Sequence, residues 1–296
     1  MKVVVAGAGA MGLLIGSYLA ESNLSVSFFT RRDSQAEELR VNGVTRILDG
    51  ESKTVQVNAF SELKDAPEGA LWILAVKSKD LSKLIVSIEN KAQPAHLLFV
   101  QNGLRHFEMG KQSSVSSIGF ASLTHGAGKE TDTSVIHKGI GVMNLAQLRG
   151  DKELTDQLLT VNSPGFPIRL HTDGFRMLLE KAIINCCINP LTAILGKTNG
   201  ELLQHETSRR LMKAVYNELA LVYPETIKRL PFSVIEKVCD STASNRSSML
   251  IDRTNHVPME IDTIVSATLG EYRHKMPTLA LLEMLLKAID EGTEST

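Results

Sequence analysis

Residues 1–32, MKVVVAGAGAMGLLIGSYLAESNLSVSFFTRR, indicate the fold class of the first half of this chain. An apolar run at 2–6 precedes a glycine turn, a helical pattern continues to residue 20, and a second apolar run covers 26–29. This order predicts a strand, a helix and a second strand, which is the β-α-β unit of open parallel sheets.

Three glycines, Gly7, Gly9 and Gly12, stand in G-x-G-x-x-G spacing between the first strand and the helix. Without side chains they allow a tight turn, close approach of a pyrophosphate and close packing of the helix on the strand. The helix N-terminus then faces the phosphates. The pattern predicts a dinucleotide-binding site, and its alternative is a glycine turn with a purely structural role.

The end of the second predicted strand indicates which dinucleotide binds. An NAD site usually has Asp or Glu there, whereas this chain has Thr30 followed by Arg31 and Arg32. Guanidinium groups pair with phosphate, so Arg31 or Arg32 favours the 2′-phosphate of NADPH/NADP. Asp33 lies close enough to leave NADH open, and the two arginines could instead belong to a solvent-exposed turn.

Polar residues follow two further apolar runs. Residues 71–76 and 96–100 are typical of buried parallel strands, with Lys77 and Asn102 just beyond them. Open α/β sheets bind ligands at the carboxyl ends of their strands, so both residues are candidates for the site. Other strands are expected at 41–60 (a hairpin or strands at the sheet edge), 115–124, 134–137, 140–145 and 167–171, with residues 124–130 as a turn.

After Asp173 the pattern becomes almost continuously helical. Amphipathic stretches are expected at 206–222, 233–239, 258–269 and 277–289. The predicted fold class is therefore α/β, with a Rossmann-type dinucleotide-binding domain at 1–172 followed by an all-α domain at 173–296.

The second half opens with an unusual polar helix face. Lys181, Asn185 and Asn189 recur at i, i+4 and i+8, within an arc of roughly 80° on a helix, and Asn199 follows. Their neighbours are apolar, and buried amides and ammonium groups need partners. These side chains either satisfy one another and the main chain or bind a small, polar, anionic ligand.

The composition of the chain limits the classes of partner that it is expected to bind. The chain has 32 basic and 33 acidic residues, so no strong field attracts nucleic acid or an anionic membrane. We expect no membrane-spanning run and no export signal, and therefore a cytoplasmic protein. Three cysteines, two of them adjacent, predict reduced core residues, and eight histidines without ligand spacing predict no metal site.

The motifs together resemble the ketopantoate reductase (2-dehydropantoate 2-reductase) family over nearly the whole chain. The matching blocks are Gly7-Ala8-Gly9-Ala10-Met11-Gly12, Val76-Lys77, Gln101-Asn102-Gly103, Thr124-His125-Gly126-Ala127, the Lys181 segment, Asn245, Ser247-Ser248-Met249-Leu250 and Glu260-Ile261-Asp262. Several motifs in the right order are far more specific than the glycine pattern alone.

The resemblance implies NADPH-dependent reduction of 2-dehydropantoate to (R)-pantoate, on the pathway to pantothenate and coenzyme A. It implies Lys181 as the proton donor to the alkoxide, with Glu260 as its acidic partner. By the same carry-over, the substrate contacts are Lys181, Asn185, Asn189, Asn199, Asn245 and Ser248. The cofactor contacts are Gly7, Ala8, Gly9, Ala10, Met11, Gly12, Arg31, Lys77, Asn102, Ala127 and Glu260. The partners implied are a small keto acid and, as one option, a second copy in a homodimer.

The chain departs from the family pattern in two places. After Glu260-Ile261-Asp262 it continues Thr263-Ile264-Val265-Ser266, where many members have Asn-Gly, and Ser78-Lys79-Asp80 replaces a more usual aromatic residue and glutamine. A reductase of another 2-keto acid or an imine thus stays open, as does a β-hydroxyacid or opine type of dehydrogenase. A non-catalytic NADPH-binding redox sensor is the alternative from a different class. Asn245 and Ser248 could also be simple helix caps.

Overall fold

The computed structural model describes residues 1–293, which form two compact units. The first unit contains residues 1–101 and 106–177, and the second contains residues 102–105 and the chain from 178 onward. A short segment, Asn102–Arg105, thus belongs to the second unit although the strand before it belongs to the first.

The first unit contains two sheets built from twelve strands. In chain order these are β1 (Lys2–Ala6), β2 (Ser25–Phe29), β3 (Val44–Leu48), β4 (Glu51–Val55), β5 (Asn58–Phe60), β6 (Leu71–Leu74), β7 (His96–Phe99), β8 (Ser117–Leu123), β9 (Gly126–Lys129), β10 (Ser134–Gly139), β11 (Met143–Arg149) and β12 (Ile168–His171).

The larger sheet has the order β12-β11-β8-β7-β6-β1-β2-β5. Its pairs are parallel except for β8 with β11, which is antiparallel. Strands β1 and β6 are neighbours, and the chain builds outward from them in opposite directions, so the crevice beyond their carboxyl ends is a topological switch point. The predicted α/β class with a Rossmann-type first part is confirmed.

Two local predictions were wrong in detail. The hairpin predicted within 41–60 forms, but β3 and β4 lie in a separate four-stranded sheet of order β4-β3-β10-β9, and only β5 is at the edge of the larger sheet. Residues 124–130 are not simply a turn, because β9 within them pairs with β10. The glycine-rich composition of β9 hides this strand, since strand propensity is low there and the pairing is supplied by tertiary context.

Thirteen α-helices lie within the described residues 1–293. Those that begin before residue 174 are α1 (Ala10–Glu21), α2 (Asp33–Asn42), α3 (Ser78–Lys91), α4 (Arg105–Gln112) and α5 (Glu153–Leu159). The remainder are α6 (Gly174–Leu195), α7 (Glu201–Gln204), α8 (Glu206–Val222), α9 (Pro224–Ile227), α10 (Phe232–Ser241), α11 (Ser248–Thr254), α12 (Ala267–Leu269) and α13 (Pro277–Thr293). Up to residue 293 the second unit contains helices and turns without a strand, as its amphipathic pattern predicts.

The length and apolar composition of helix α6 differ from the expectation that no run of residues is able to span a membrane. By length and composition alone, its 22 residues are apolar enough to do so. However, 67% of its most apolar window is buried inside the protein. A helix that is apolar on nearly all sides is buried in this way when it forms part of a core.

A buried chain of hydrogen bonds links three aromatic side chains of the first unit. Gly141 N donates to His125 Nδ1 over 3.1 Å, so this nitrogen carries no proton. His137 Nε2 must then donate to the same atom over 3.1 Å, and His137 Nδ1 accepts from the Tyr18 hydroxyl over 3.0 Å. This arrangement requires both imidazoles to be neutral.

The histidine pair predicts a loss of stability in acid. Burial, and then the neighbouring His137, lower the pKa of His125 from 6.5 to about 4, and burial and Arg46 lower the pKa of His137. Because the unfolded chain binds the proton more readily, the stabilisation is present above pH 6.5 and is lost as pH falls toward 4. For His125 we expect the free energy of unfolding to drop by roughly 2 kcal/mol between pH 7 and pH 5.

Urea unfolding of the wild type and of His125→Gln at the two pH values measures this pH-dependent change in the free energy of unfolding. The variant is expected to lose less stability on acidification than the wild type, and His256→Gln, at an exposed position, serves as the control. Equal pH dependence in the wild type and His125→Gln would contradict the assignment.

Candidate functional site

The glycine loop after β1 has the geometry that a bound pyrophosphate needs. Gly7 has a φ of +103°, and a Cβ there would lie 2.9 Å from Ala75 O. A Cβ on Gly12 would lie 1.9 Å from Gly7 O, so only glycine lets α1 pack this closely on the turn. A Cβ on Gly9 would meet no atom within 4 Å, which leaves the approach to the start of α1 open. Ala10, Met11 and Gly12 form the first turn of this helix.

A cleft of about 630 Å³ opens beyond the glycine loop within the first unit. Its lining includes five residues that the sequence predicts for the cofactor: Gly7, Ala8, Gly9, Arg31 and Lys77. It also includes residues without a sequence signal, among them Gln35, Asp80, Lys83 and Lys129. Ala127, a further predicted contact, lies in β9 and packs partly buried against the first-unit core.

The two arginines at the end of β2 have different surroundings. Arg32 forms an ion pair of 2.5 Å with Asp132. Arg31 is exposed and makes no ion pair with any residue in the described range 1–293. An open glycine cradle with an unpaired guanidinium at the end of the second strand fits a dinucleotide carrying a 2′-phosphate.

In the second unit, three predicted residues meet in one cluster. The Lys181 ammonium on α6 donates to Asn102 Oδ1 over 2.9 Å, and Asn102 Nδ2 lies 3.5 Å from Glu260 Oε2. Burial lowers the pKa of Lys181 from 10.5 to about 8, and the negative charge of Glu260 offsets part of this effect. The family resemblance implies a protonated lysine beside an acid, and burial in the structure lowers the pKa of this lysine below that of a free lysine.

Gly103 places Asn102 in this cluster. Its φ is +81°, and a Cβ there would lie only 1.8 Å from Thr263 O, which also accepts from Leu104 N over 3.0 Å. Thr263 belongs to a π-helical turn, Asp262–Ser266, that begins two residues after Glu260. Such turns occur frequently at functional sites.

The predicted amides divide between two places. Asn185 is half-buried on α6, and Asn189, one turn on, points Nδ2 at Ser248 Oγ over 3.5 Å. Asn199 Nδ2 donates to Thr242 Oγ1 over 2.9 Å, while its Oδ1 is buried without a hydrogen-bond partner among the described residues. A buried acceptor without a donor is costly, so this oxygen is suited to a ligand donor.

The cap of α11 is Ser247 and not Ser248. Ser247 Oγ accepts from Leu250 N over 3.1 Å and contacts Thr192 Oγ1 at 2.7 Å. The exposed Ser248 side chain is therefore not used as the helix cap. Asn245 is exposed, and its carbonyl accepts from Asn199 N over 3.0 Å.

The three cysteines do not supply reactive thiols. Cys186, Cys187 and Cys239 are free and buried, and burial raises the pKa of Cys186 to about 12. Across residues 1–293, no group of three or more His, Cys, Asp or Glu side chains has a metal-binding arrangement.

Sequence comparison identifies the family on both halves of the chain. The family model described as "Ketopantoate reductase PanE/ApbA" matches residues 3–150, and that described as "Ketopantoate reductase PanE/ApbA C terminal" matches residues 175–291. A protein of Listeria innocua named 2-dehydropantoate 2-reductase is 35% identical, with 98% of this chain and 97% of the relative covered. A Bacillus subtilis protein of the same name is 32% identical, with 99% of each chain covered.

Solved structures agree with the sequence relatives. The crystal structure of the probable 2-dehydropantoate 2-reductase panE from Bacillus subtilis matches with a TM-score of 0.84 at 31% identity, covering 98% of this chain and all of the other. A D-mandelate dehydrogenase bound to NADH and anilino(oxo)acetate shares the fold, with a TM-score of 0.82 at 24% identity over 99% of this chain and 100% of that one. The motif resemblance is thereby confirmed, and this chain belongs to the ketopantoate reductase family.

Proposed function

We propose that this protein reduces 2-dehydropantoate to (R)-pantoate with NADPH, supplying pantoate for pantothenate and coenzyme A. The observation that carries the proposal is the cluster of Lys181, Asn102 and Glu260, in a chain that matches 2-dehydropantoate 2-reductases over 98% or more of its length. The protein is an oxidoreductase acting on a small keto acid. We infer that the reaction takes place in the cytoplasm, without a nucleic-acid or membrane partner. The protein is proposed to form a homodimer, which sedimentation analysis tests.

The cofactor contacts are proposed from the family resemblance, and Gly7, Ala8, Gly9, Arg31 and Lys77 among them line the first-unit cleft. Gly7, Ala8, Gly9, Ala10, Met11 and Gly12 would hold the pyrophosphate, Arg31 the 2′-phosphate, and Lys77, Asn102, Ala127 and Glu260 would complete the contacts. When bound, NADPH supplies the hydride that reduces the ketone carbon of the substrate.

Lys181 provides the matching proton. Its Nζ holds the proton near neutral pH, and the alkoxide oxygen of the reduced substrate accepts it. A pKa of about 8 makes this transfer more favourable than from an ordinary lysine. Asn102 Oδ1 orients the ammonium over 2.9 Å, and the charge of Glu260 keeps it protonated. The positive charge also stabilises the developing negative charge on the oxygen.

The remaining polar residues of the second unit are proposed to hold the substrate. Asn185, Asn189, Asn199, Asn245 and Ser248 offer neutral donors and acceptors, which suit a substrate that carries a carboxylate and a hydroxyl group. The unpartnered Oδ1 of Asn199 is the clearest support, because a substrate hydroxyl can donate to it.

Purified protein assayed spectrophotometrically with NADPH and 2-dehydropantoate tests the proposal. Oxidation of NADPH with this keto acid, and not with pyruvate or a cyclic imine, is the expected result. Turnover with another keto acid or an imine, and none with 2-dehydropantoate, would show that the proposed substrate is wrong. Binding of NADPH without turnover of any substrate would contradict the proposed enzyme and favour a non-catalytic redox sensor.

Replacement of Arg31 by alanine tests the cofactor assignment. We expect kcat/KM with NADPH to fall by roughly 10-fold or more while kcat/KM with NADH changes little, because a phosphate contact is lost. Steady-state kinetics with both cofactors measures the ratio. The control is Arg40→Ala in helix α2, where Arg40 pairs with Glu37. An unchanged ratio would assign the phosphate contact to another cation of the cleft.

A further inference from the structure

The acidic side chain of Asp132 pairs with two of the cations that line the nucleotide cleft. The cleft is lined by Arg31, Arg32, Lys77, Lys83 and Lys129. Asp132, in the turn between β9 and β10, has one carboxylate oxygen 2.5 Å from Arg32 and the other 2.6 Å from Lys129. Hydrogen bonding to Lys129, followed by the interactions with Arg32, lowers the pKa of Asp132, so the carboxylate is charged at neutral pH.

The turn that carries Asp132 is fastened to the glycine loop. The amide Nε2 of the buried Gln35 donates to Ala8 O over 3.0 Å and to Asp132 O over 2.9 Å. One side-chain amide thereby fixes the position of the acid relative to the loop proposed to hold the pyrophosphate. Asp132 thus pairs with two residues of the cleft lining, Arg32 and Lys129, and its side chain is only 22% exposed.

We propose that Asp132 is a specificity-determining residue that limits the preference of this protein for NADPH over NADH, an inference that rests on the proposed use of a nicotinamide dinucleotide. The charges of Arg32 and Lys129 would attract the 2′-phosphate, but Asp132 neutralises one of them. Cofactor preference is then set by the unpaired Arg31 acting against the field of Asp132. NADPH is affected more than NADH, because its additional phosphate carries about two negative charges.

Dissociation constants of NADPH and NADH, measured by fluorescence titration of the full chain without substrate, test this inference. In Asp132→Asn we expect the ratio of the NADH constant to the NADPH constant to rise about 5-fold at about 50 mM salt, and much less at about 0.5 M salt. The substitution keeps the size of the side chain and the main-chain bond to Gln35. In Lys129→Gln the ratio is expected to fall.

Glu37→Gln is the matched control, since it removes an exposed carboxylate of α2 that pairs with Arg40. Its ratio is expected to equal that of the wild type. A ratio in Asp132→Asn that is unchanged or lower would overturn the inference, because the acid would then serve only to position Arg32 and Lys129. Because binding is measured without turnover, a wild type that binds NADPH but reduces no keto acid would refute the proposed function and leave the role of Asp132 testable.

Discussion

Replacement of Lys181 by alanine is expected to lower kcat for the reduction of 2-dehydropantoate by ~10²-fold or more, the usual loss when a general acid is removed. The Kd of NADPH should stay within about two-fold, because we assign Lys181 to the substrate and not to the nucleotide. The reason lies in the hydrogen bond of 2.9 Å to Asn102 and in the burial that lowers the pKa of Lys181 to about 8.

Arginine at the same position separates proton transfer from simple charge. Lys181→Arg keeps the positive charge but holds its proton too tightly to donate it, so we expect less than about 10-fold recovery over alanine. Lys213→Ala, at an exposed position of α8, is the control for loss of a lysine. Turnover of Lys181→Ala at the wild-type level would exclude Lys181 as the donor.

The pH profile of the wild type gives an independent reading of the same group. The protonated form of Lys181 is the active one, so kcat should decline as pH rises through about 8. In Lys181→Ala this limb should disappear from the residual activity.

Replacement of Gly103 by alanine is expected to lower both the catalytic rate and the stability of the protein. A Cβ there would approach Thr263 O to 1.8 Å, so the main chain carrying Asn102 must shift by more than 1 Å. A displacement of that size costs on the order of 10²-fold in catalysis. The positive φ of +81° adds strain, and we expect a loss of about 2 kcal/mol or more in the free energy of unfolding.

Gly50 offers a matched control for this variant. Its φ is +83°, and a Cβ there would meet no atom within 4 Å. Gly50→Ala therefore carries the same backbone strain without the collision, and the difference between the two variants isolates the contact with Thr263. Equal urea midpoints and equal kcat/KM in Gly103→Ala and Gly50→Ala would refute a positioning role for Gly103.

The sequence predicts those structural elements that are determined by interactions between residues close together in the chain. The β-α-β unit, the glycine loop and the long helices follow from hydrophobic periodicity and turn chemistry within a few residues. The strand β9 could not be predicted, because Gly126 and Gly128 have low strand propensity and the partner strand comes from tertiary pairing.

The same limit applies to the site. Lys181, Asn102 and Glu260 are each suggested by motifs, but their contacts join residues 79 and 158 positions apart, which periodicity does not report. The pairing of Asp132 with Arg32 joins residues 100 positions apart. The pKa of Lys181 is lowered because the assembled cluster is buried. The sequence pattern does not predict this burial.

The membership of Asn102–Arg105 in the second unit has a consequence for protein engineering. A chimaera that joins the first half of one relative to the helical half of another at residues 172–173 would supply Thr263 and Asn102 from different parents. The close fit of Gly103 on the π-helical turn would then be made between sequences that never evolved together. A modular exchange that preserves this fit must transplant residues 102–105 with the helices, as a two-piece graft.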